Sequence, residues 1–289
     1  MKCYLCKQPT VPLFTKNGYN IYRCPSCGLG RTDLKENYDT FLRWQYGKGY
    51  FTGDAQCGAY SDYLHDKKFI VRNMQKIFKY IQRIKPTGRV LDVGCAMGYF
   101  VELALTHGYD AYGLDASRYA VSRANKSCEG RIQLASVEAA KYKPKSFDVI
   151  TLLDVFEHLQ DPGKDLQALH KLLRDDGYMI IASGDAKSVL ARMLGRRWTF
   201  YIPPQHLFFF DRQTLSKVLE LSDFEPIGWF RIGKWLSLSY ILHLARTTGE
   251  SRIGQWLFDV LPESLQRIGL YIPAHDNMVV IARKKRKNS

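Results

Sequence analysis

Two cysteine pairs stand near the start of the chain. Cys3-x-x-Cys6 and Cys24-x-x-Cys27 are separated by seventeen residues, the spacing of a zinc ribbon. Two residues between cysteines let one tight turn aim both sulfurs at one ion, and a second such turn completes a four-sulfur shell. That shell leaves no open position, so the expected Zn2+ is structural. A unit of about 35 residues builds little core of its own, and the metal supplies the missing stability. Free cysteines at accidental spacing are the alternative. Cys57, Cys95 and Cys128 lack such partners and are expected to be plain thiols.

Two further stretches carry proton chemistry. "DVFEHL" holds Glu157 and His158, and "YIPPQHLFFF" holds His206 on a proline-rich loop. Histidine is the usual proton acceptor near neutral pH. A structural hydrogen bond near a helix start is the plainer role for His158. Glu157 can equally orient a neighbour or favour a helix N-terminus.

These groups must be positioned, and the rest of the chain predicts how. A helix is expected from about residue 62 to Ile84, with Ile70, Met74, Ile77, Phe78 and Ile81 on one face. Strands and helices then alternate. Strands are expected at Arg89–Val93, Tyr109–Leu114, Arg131–Ala135, Phe147–Leu153, Tyr178–Ala182, Pro226–Arg231 and Asp276–Ala282. Helices are expected at Tyr99–His107, Ser117–Lys126, near Gly163–Leu173 and near Arg212–Leu221. The fold class is α/β: a doubly wound, mostly parallel, Rossmann-like sheet. The expected division is 1–35 as the ribbon, 36–85 as a connector and N-terminal helix, and 86–289 as the main domain, with a helical insertion at 233–274. In the connector, Tyr46, Tyr50, Phe51 and Tyr60 either cover a ligand or pack on the domain, and packing is favoured.

"VLDVGCAMGYF" follows the first strand of that sheet. Its turn, Gly94-Cys95-Ala96-Met97-Gly98, lacks the middle glycine that lets a backbone approach a pyrophosphate. A cofactor without phosphate does not require that approach. Asp115 ends the second strand, where an acidic side chain reaches ribose hydroxyls.

With "YGLDAS" and "FDVITLLDVFEHL", this stretch resembles the motifs of class I S-adenosylmethionine-dependent methyltransferases. The resemblance covers roughly residues 65 to 230 and the last strand. It implies S-adenosyl-L-methionine as cofactor. Asp92, Gly94 and Gly98, with Cys95 in the same turn, are implied to surround its methionine end. Asp115 is implied at the ribose, and Ala116, Ser136 and Val137 at the adenine. Ser136 departs from the family's usual aspartate. Leu153 and Asp154 are implied to line the site. In the family, the glutamate-histidine pair and the later proline-histidine-leucine stretch face the substrate pocket, which makes His158, His206 and Glu157 the catalytic candidates.

Three function classes stand open. The ribbon joined to this methyltransferase type resembles bacterial enzymes of sugar and surface-polysaccharide modification, whose acceptor is a small molecule such as a nucleotide- or lipid-linked sugar. An rRNA methyltransferase with a zinc ribbon is the alternative partner class, in keeping with a net charge of +14. Strand four, however, ends in "LLDVFEHL" and lacks the Asn/Asp-Pro-Pro-aromatic stretch of many amino-directed nucleic-acid methylases. A non-enzymatic binding module is the third class, opposed by the intact Asp92, Gly94, Gly98 and Asp115.

No stretch has the pattern of a signal peptide or a membrane span, so a cytoplasmic protein is expected. The basic run Arg283-Lys284-Lys285-Arg286-Lys287 is either solvated or bound to an anionic partner. The insertion is expected to cap the domain. Its apolar face (Ile253, Trp256, Leu257, Val260, Leu261), with Arg246, Arg252 and Arg267 nearby, leaves a membrane surface or a dimer contact as alternatives.

Overall fold

The computed structural model describes residues 1–53, 59–248 and 251–285. Seven strands form the main sheet: β4 (Arg89–Val93), β5 (Asp110–Asp115), β6 (Ile132–Leu134), β7 (Phe147–Leu153), β8 (Leu173–Gly184), β10 (Phe224–Ser237) and β11 (Gly269–Lys284), in the order β10-β11-β8-β7-β4-β5-β6. The strands from β8 to β6 are parallel, and β11 and β10 add an antiparallel edge. The chain winds outward from β4 to β6 on one side and from β7 to β8 on the other. The crevice beyond the carboxyl ends of β4 and β7 is therefore the switch point where such sheets take ligands.

The central strands are mostly apolar because helices cover both faces. Alternate residues divide between two cores. Leu91, Ile150, Leu152 and Met179 enter one. Val90, Val149, Ile180 and Val279 enter the other. The helix Lys67–Ile84 buries Ile77, Phe78 and Ile81 in the second core. Met74 and Ile70, about one and two turns earlier, face the cavity described below.

Several expected elements differ in extent. The helix expected at Ser117–Lys126 is only Arg118–Val121, followed by a 3-10 turn at Lys126–Cys128. The cause is local: the Asn125 side chain accepts the Ser127 N–H at 3.2 Å and starts a new turn. The insertion is helical only in its middle, at Leu238–Thr247, Arg252–Val260 and Glu263–Gln266. Its two ends are strand. β10 and β11 continue past the sheet as a paired arm, with Trp235 opposite Tyr271 and Ser237 opposite Gly269. The first helix buries Leu242, but Ile253 (71% exposed), Trp256 (61%) and Val260 (52%) of the second point outward. The expected cap thus leaves an apolar outer face. Arg246 turns inward over Phe258, and Arg267 pairs with Glu263.

The basic run also divides. Arg283 and Lys284 belong to β11, with Arg283 paired to Glu225 and Lys284 buried. Arg286 and Lys287, like Cys57, lie outside the described residues. No helix among the described residues is long and apolar enough to cross a membrane.

A smaller sheet occupies the other end of the chain. β1 (Val11–Lys16) and β2 (Tyr19–Arg23) form a hairpin, β3 (Gly30–Thr32) pairs with β2, and β9 (Phe208–Phe209) completes the order β1-β2-β3-β9. The last strand comes from the loop that carries His206. The ribbon is thus hydrogen-bonded to the main domain through Gly30 opposite Phe209 and Arg31 opposite Phe208.

Candidate active site

A cavity of about 620 Å³ lies over the carboxyl ends of β4, β5 and β7. Its charge is opposite to that of the chain. Asp66, Asp92, Asp115, Asp154, Glu157, Asp165 and Asp276 line it, against Lys234 as the one lysine and no arginine among the described residues. A cavity of this sign in a chain of net charge +14 favours a cationic ligand.

Backbone geometry shapes one wall. Gly94 has φ +70°, and a Cβ there would stand 2.4 Å from Val155 Cγ2. No other residue fits this turn without displacing Val155, on the turn after β7. Ala96 also has positive φ, at 47°, which aims its N–H at Asp115 Oδ2, 2.7 Å away. The other Asp115 oxygen accepts from the Ser117 N–H at 2.7 Å. Both carboxylate oxygens keep a free lone pair. Ala116, Ser136 and Val137 continue this wall beside Asp115, and Cys95 lines it from the turn. Gly98 does not line the cavity. It stands at the N-cap of helix Tyr99–Thr106, where a Cβ would meet Ile132 Cδ1 at 2.7 Å. Asp92 is buried and accepts from Thr151 Oγ1 at 2.6 Å. Burial, with Asp115 beside it, pushes its carboxyl up to about 7. Burial also raises Asp115, against the pull of its two N–H donors. Both shifts fall when a cation enters the cavity.

The opposite wall brings Glu157, His158 and His206 together. The first two sit on the turn Phe156–His158 after β7, and His206 sits on the loop before β9, which contains the cis peptide Pro203–Pro204. His158 Nδ1 lies 2.9 Å from the Gln205 carbonyl, and His206 Nδ1 lies 2.6 Å from the Phe200 carbonyl. A carbonyl only accepts, so each ring donates through Nδ1–H and keeps Nε2 as a lone pair. The rings stand 4.7 Å apart. Burial lowers both histidines, His206 the more, with His158 as its second cause. Glu157 Oε2 accepts from Ser183 Oγ at 2.9 Å, while Oε1 is buried with no partner. Burial first, and Asp154 second, push this carboxyl up to about 8.

Leu153 and Asp154 line the cavity between these two walls. Asp154 is held by Lys234 at 2.7 Å and by Asn277 at 2.8 Å. Sequence reasoning missed both partners. Neither belongs to a motif: Lys234 comes from the β10–β11 arm, and Asn277 from the part of β11 that pairs with β8. Tyr240, on the helix Leu238–Thr247, and Tyr63, just before the helix Lys67–Ile84, line the cavity and were missed as well. Tyr46, Tyr50 and Tyr60 were expected to pack on the domain, and they do so while also lining the cavity. Tyr60 stacks on Tyr240 at 5.1 Å, and Tyr50 receives Gln205 Nε2 at 3.3 Å.

The four cysteines are brought together as expected. Cys3 Sγ lies 3.5 Å from Cys27 Sγ and Cys6 Sγ lies 3.4 Å from Cys24 Sγ. All four sulfurs fall within 4.8 Å of one another. Four thiolates about 2.3 Å from one ion stand about 3.8 Å apart, so the cluster fits one tetrahedral metal. Cys95 and Cys128 are buried free thiols.

The sheet order, the turn after β4 and the acidic end of β5 define a class I S-adenosylmethionine-dependent methyltransferase, with a small N-terminal sheet and a four-cysteine cluster. A methyltransferase-domain family matches residues 63–227, and the chain belongs to that family. It is 31% identical over 125 residues to a ubiquinone biosynthesis O-methyltransferase of Paraburkholderia phymatum, covering 40% of this chain and 54% of that one. It thus spans about half that relative's length. The enzyme of the same name from Aliivibrio fischeri is 25% identical over 178 residues, or 54% of this chain and 76% of its own. Among solved structures, an S-adenosylmethionine-dependent methyltransferase from Archaeoglobus fulgidus superposes with a TM-score of 0.52 at 24% identity, over 77% of this chain and 99% of that one. That likeness concerns the fold.

Proposed function

We propose that the protein methylates a hydroxyl, or alternatively a carbon, of a nucleotide- or lipid-linked sugar in cell-surface polysaccharide synthesis. The observation that carries the transfer is the pairing of an acid-lined cavity with a turn that needs no phosphate. S-adenosylmethionine, when bound, supplies an electrophilic methyl on a cationic sulfur. The chain's own groups do the rest. Asp115 accepts the ribose hydroxyls, with Ala116, Ser136 and Val137 along the adenine. Asp92, Gly94, Cys95, Leu153 and Asp154 enclose the methionine end. Gly98 acts one step removed, by fixing the turn. Glu157, His158 and His206 form the polar floor under the acceptor, and Nε2 of His158 faces its proton. The tyrosine wall limits the access of bulk water.

That the relatives are O-methyltransferases supports a hydroxyl acceptor. The sugar assignment rests on the joined ribbon and methyltransferase motifs. An rRNA acceptor is the alternative for the test, and the end of strand β7 lacks the Asn/Asp-Pro-Pro-aromatic stretch of many amino-directed nucleic-acid methylases. The cysteine quartet holds one structural Zn2+, and metal analysis of purified protein is expected to give about one equivalent. Where the acceptor is lipid-linked, the outward face of Ile253, Trp256 and Val260 is the surface that meets the membrane from the cytoplasmic side. Sedimentation with anionic vesicles tests that contact.

The central test is calorimetry with S-adenosylmethionine. Asp115→Ala removes a charged acceptor from two hydroxyls and should weaken binding by about 1.5–3 kcal/mol. Unchanged affinity would reject the cofactor placement. Radiolabelled methyl transfer to nucleotide-sugar, polyprenyl-phosphate-sugar and rRNA pools then separates the acceptor classes.

A further inference from the structure

We infer that Glu157, His158 and His206 bind one divalent cation, at a site distinct from the cysteine quartet, and that the acceptor hydroxyl meets this cation. One donor atom from each of the three side chains lies within 4.8 Å of the other two. Two imidazoles and one carboxylate on one side of a cavity are the donor set that holds a first-row divalent ion with positions left open. Mg2+, which prefers oxygen alone, fits this set poorly.

The surroundings of the three side chains repeat one pattern. Each holds one polar atom on the scaffold. His158 gives Nδ1–H to the Gln205 carbonyl, and His206 gives Nδ1–H to the Phe200 carbonyl. Outer hydrogen bonds of this kind orient metal-binding histidines and fix the tautomer that ligates. Glu157 takes Ser183 Oγ on Oε2 and leaves Oε1 buried and unpartnered. An orphaned carboxyl oxygen on a buried side chain, beside two imidazoles, is costly unless something occupies the space between them.

Both supporting loops are also tied down from outside. Thr32 Oγ1 donates to the His206 carbonyl at 2.7 Å, and Tyr38 Oη donates to the His158 carbonyl at 3.0 Å. Three protein ligands leave room for oxygen ligands from the cavity side.

The inference deepens the proposed function and rests on it only for the identity of the acceptor. A cation here lowers the pKa of a hydroxyl that touches it, and the proton leaves to water. The oxygen lone pair then forms the C–O bond as the C–S bond breaks, with that electron pair passing to sulfur. The products are the methyl ether and S-adenosylhomocysteine. In this scheme the lone pair of His158 holds the cation instead of taking the proton.

The test uses the full chain with Zn2+ already in the quartet. Mn2+ is titrated by electron paramagnetic resonance and calorimetry. One Mn2+ per chain is expected, bound at least about 10-fold more weakly in Glu157→Gln and His206→Ala. Ser183→Ala, one shell out, should weaken it by about 10–100-fold. Asp115→Ala should bind Mn2+ as the unaltered protein does. Co2+ gives a second readout should a variant fold poorly: unaltered protein should take one Co2+ without the intense thiolate charge-transfer band of a sulfur site. No metal beyond the quartet, or Mn2+ affinity indifferent to Glu157 and His206, overturns the inference. So does methyl transfer at full rate with quartet zinc alone, a result that leaves the proposed reaction standing. Mn2+ binding with no transfer to any glycosyl acceptor would support the site and overturn the acceptor assignment instead.

Discussion

The cysteine quartet and the Glu157–His158–His206 cluster are both small groups of ligating side chains, yet they are built in opposite ways. The quartet is local: its closest thiols are 18 and 24 positions apart, on two tight turns. The acid–histidine cluster spans two loops, and His158 is oriented by a carbonyl 47 positions away. Four sulfurs fill a coordination shell, whereas three donors leave one side open to a cavity. The first arrangement can only stabilise, while the second can also turn over a ligand. Spacing within a motif reveals the closed kind. The open kind needs the fold.

The sharpest way to break this comparison is to remove one member from each. His158→Ala should lower methyl transfer by about 10²–10⁴-fold, the range for a positioned acid–base or metal-assisted step. Cofactor affinity and melting temperature should stay close to those of the unaltered protein. Single-turnover kinetics beside calorimetry reads both. A variant that keeps its rate would make the cluster structural, like the quartet. Cys24→Ser should do the reverse. Loss of the metal should cost about 3 kcal/mol of stability, or about 6–12 °C in a chain of this size, while the protein that stays folded retains measurable transfer. Zinc content and a thermal scan check it.

Two smaller changes sharpen the contrast by cutting the links between the regions. Thr32→Val removes the hydrogen bond to the His206 carbonyl, worth about 1 kcal/mol. It should raise the acceptor KM several-fold while zinc stays bound. An unchanged KM would show that the ribbon merely sits beside the site. Tyr38→Phe cuts the longer bond to the His158 carbonyl and should have the smallest effect, a change in kcat of about two- to threefold. Steady-state kinetics with a folded-state control decides it.

How much was legible follows the same division. β4 and β7 have the ends expected from sequence, and helix Arg212–Leu221 likewise. Each is a short apolar run or period bounded by strong turn or cap residues. Gly94, Asp115, Glu157 and His158 could be located because a strand end and the turn after it are one local signal. Lys234, Asn277 and Tyr240 could not. Lys234 and Tyr240 come from the segment expected as a helical insertion, and Asn277 from a strand whose place beside β8 rests on pairing across about ninety residues, which leaves no local period. Ser117–Lys126 failed for a different reason. Its alternation of small and apolar residues resembles a helix, but Ser122, Asn125 and Ser127 offer the backbone competing bonds.

The strand pairing of β3 with β9 also orders events in time. The cysteine knuckles close over 24 positions, but Thr32 finds its partner 174 positions later. During vectorial synthesis the ribbon is therefore complete long before its dock exists. Until Phe208 and Phe209 emerge, β3 presents an unpaired edge to other nascent chains, the usual starting point for misassembly. With the proposed zinc in the quartet, the hairpin would wait in one register where a bare one would slip. Cells short of zinc should accordingly lose this protein first as newly made aggregate, while molecules already folded persist.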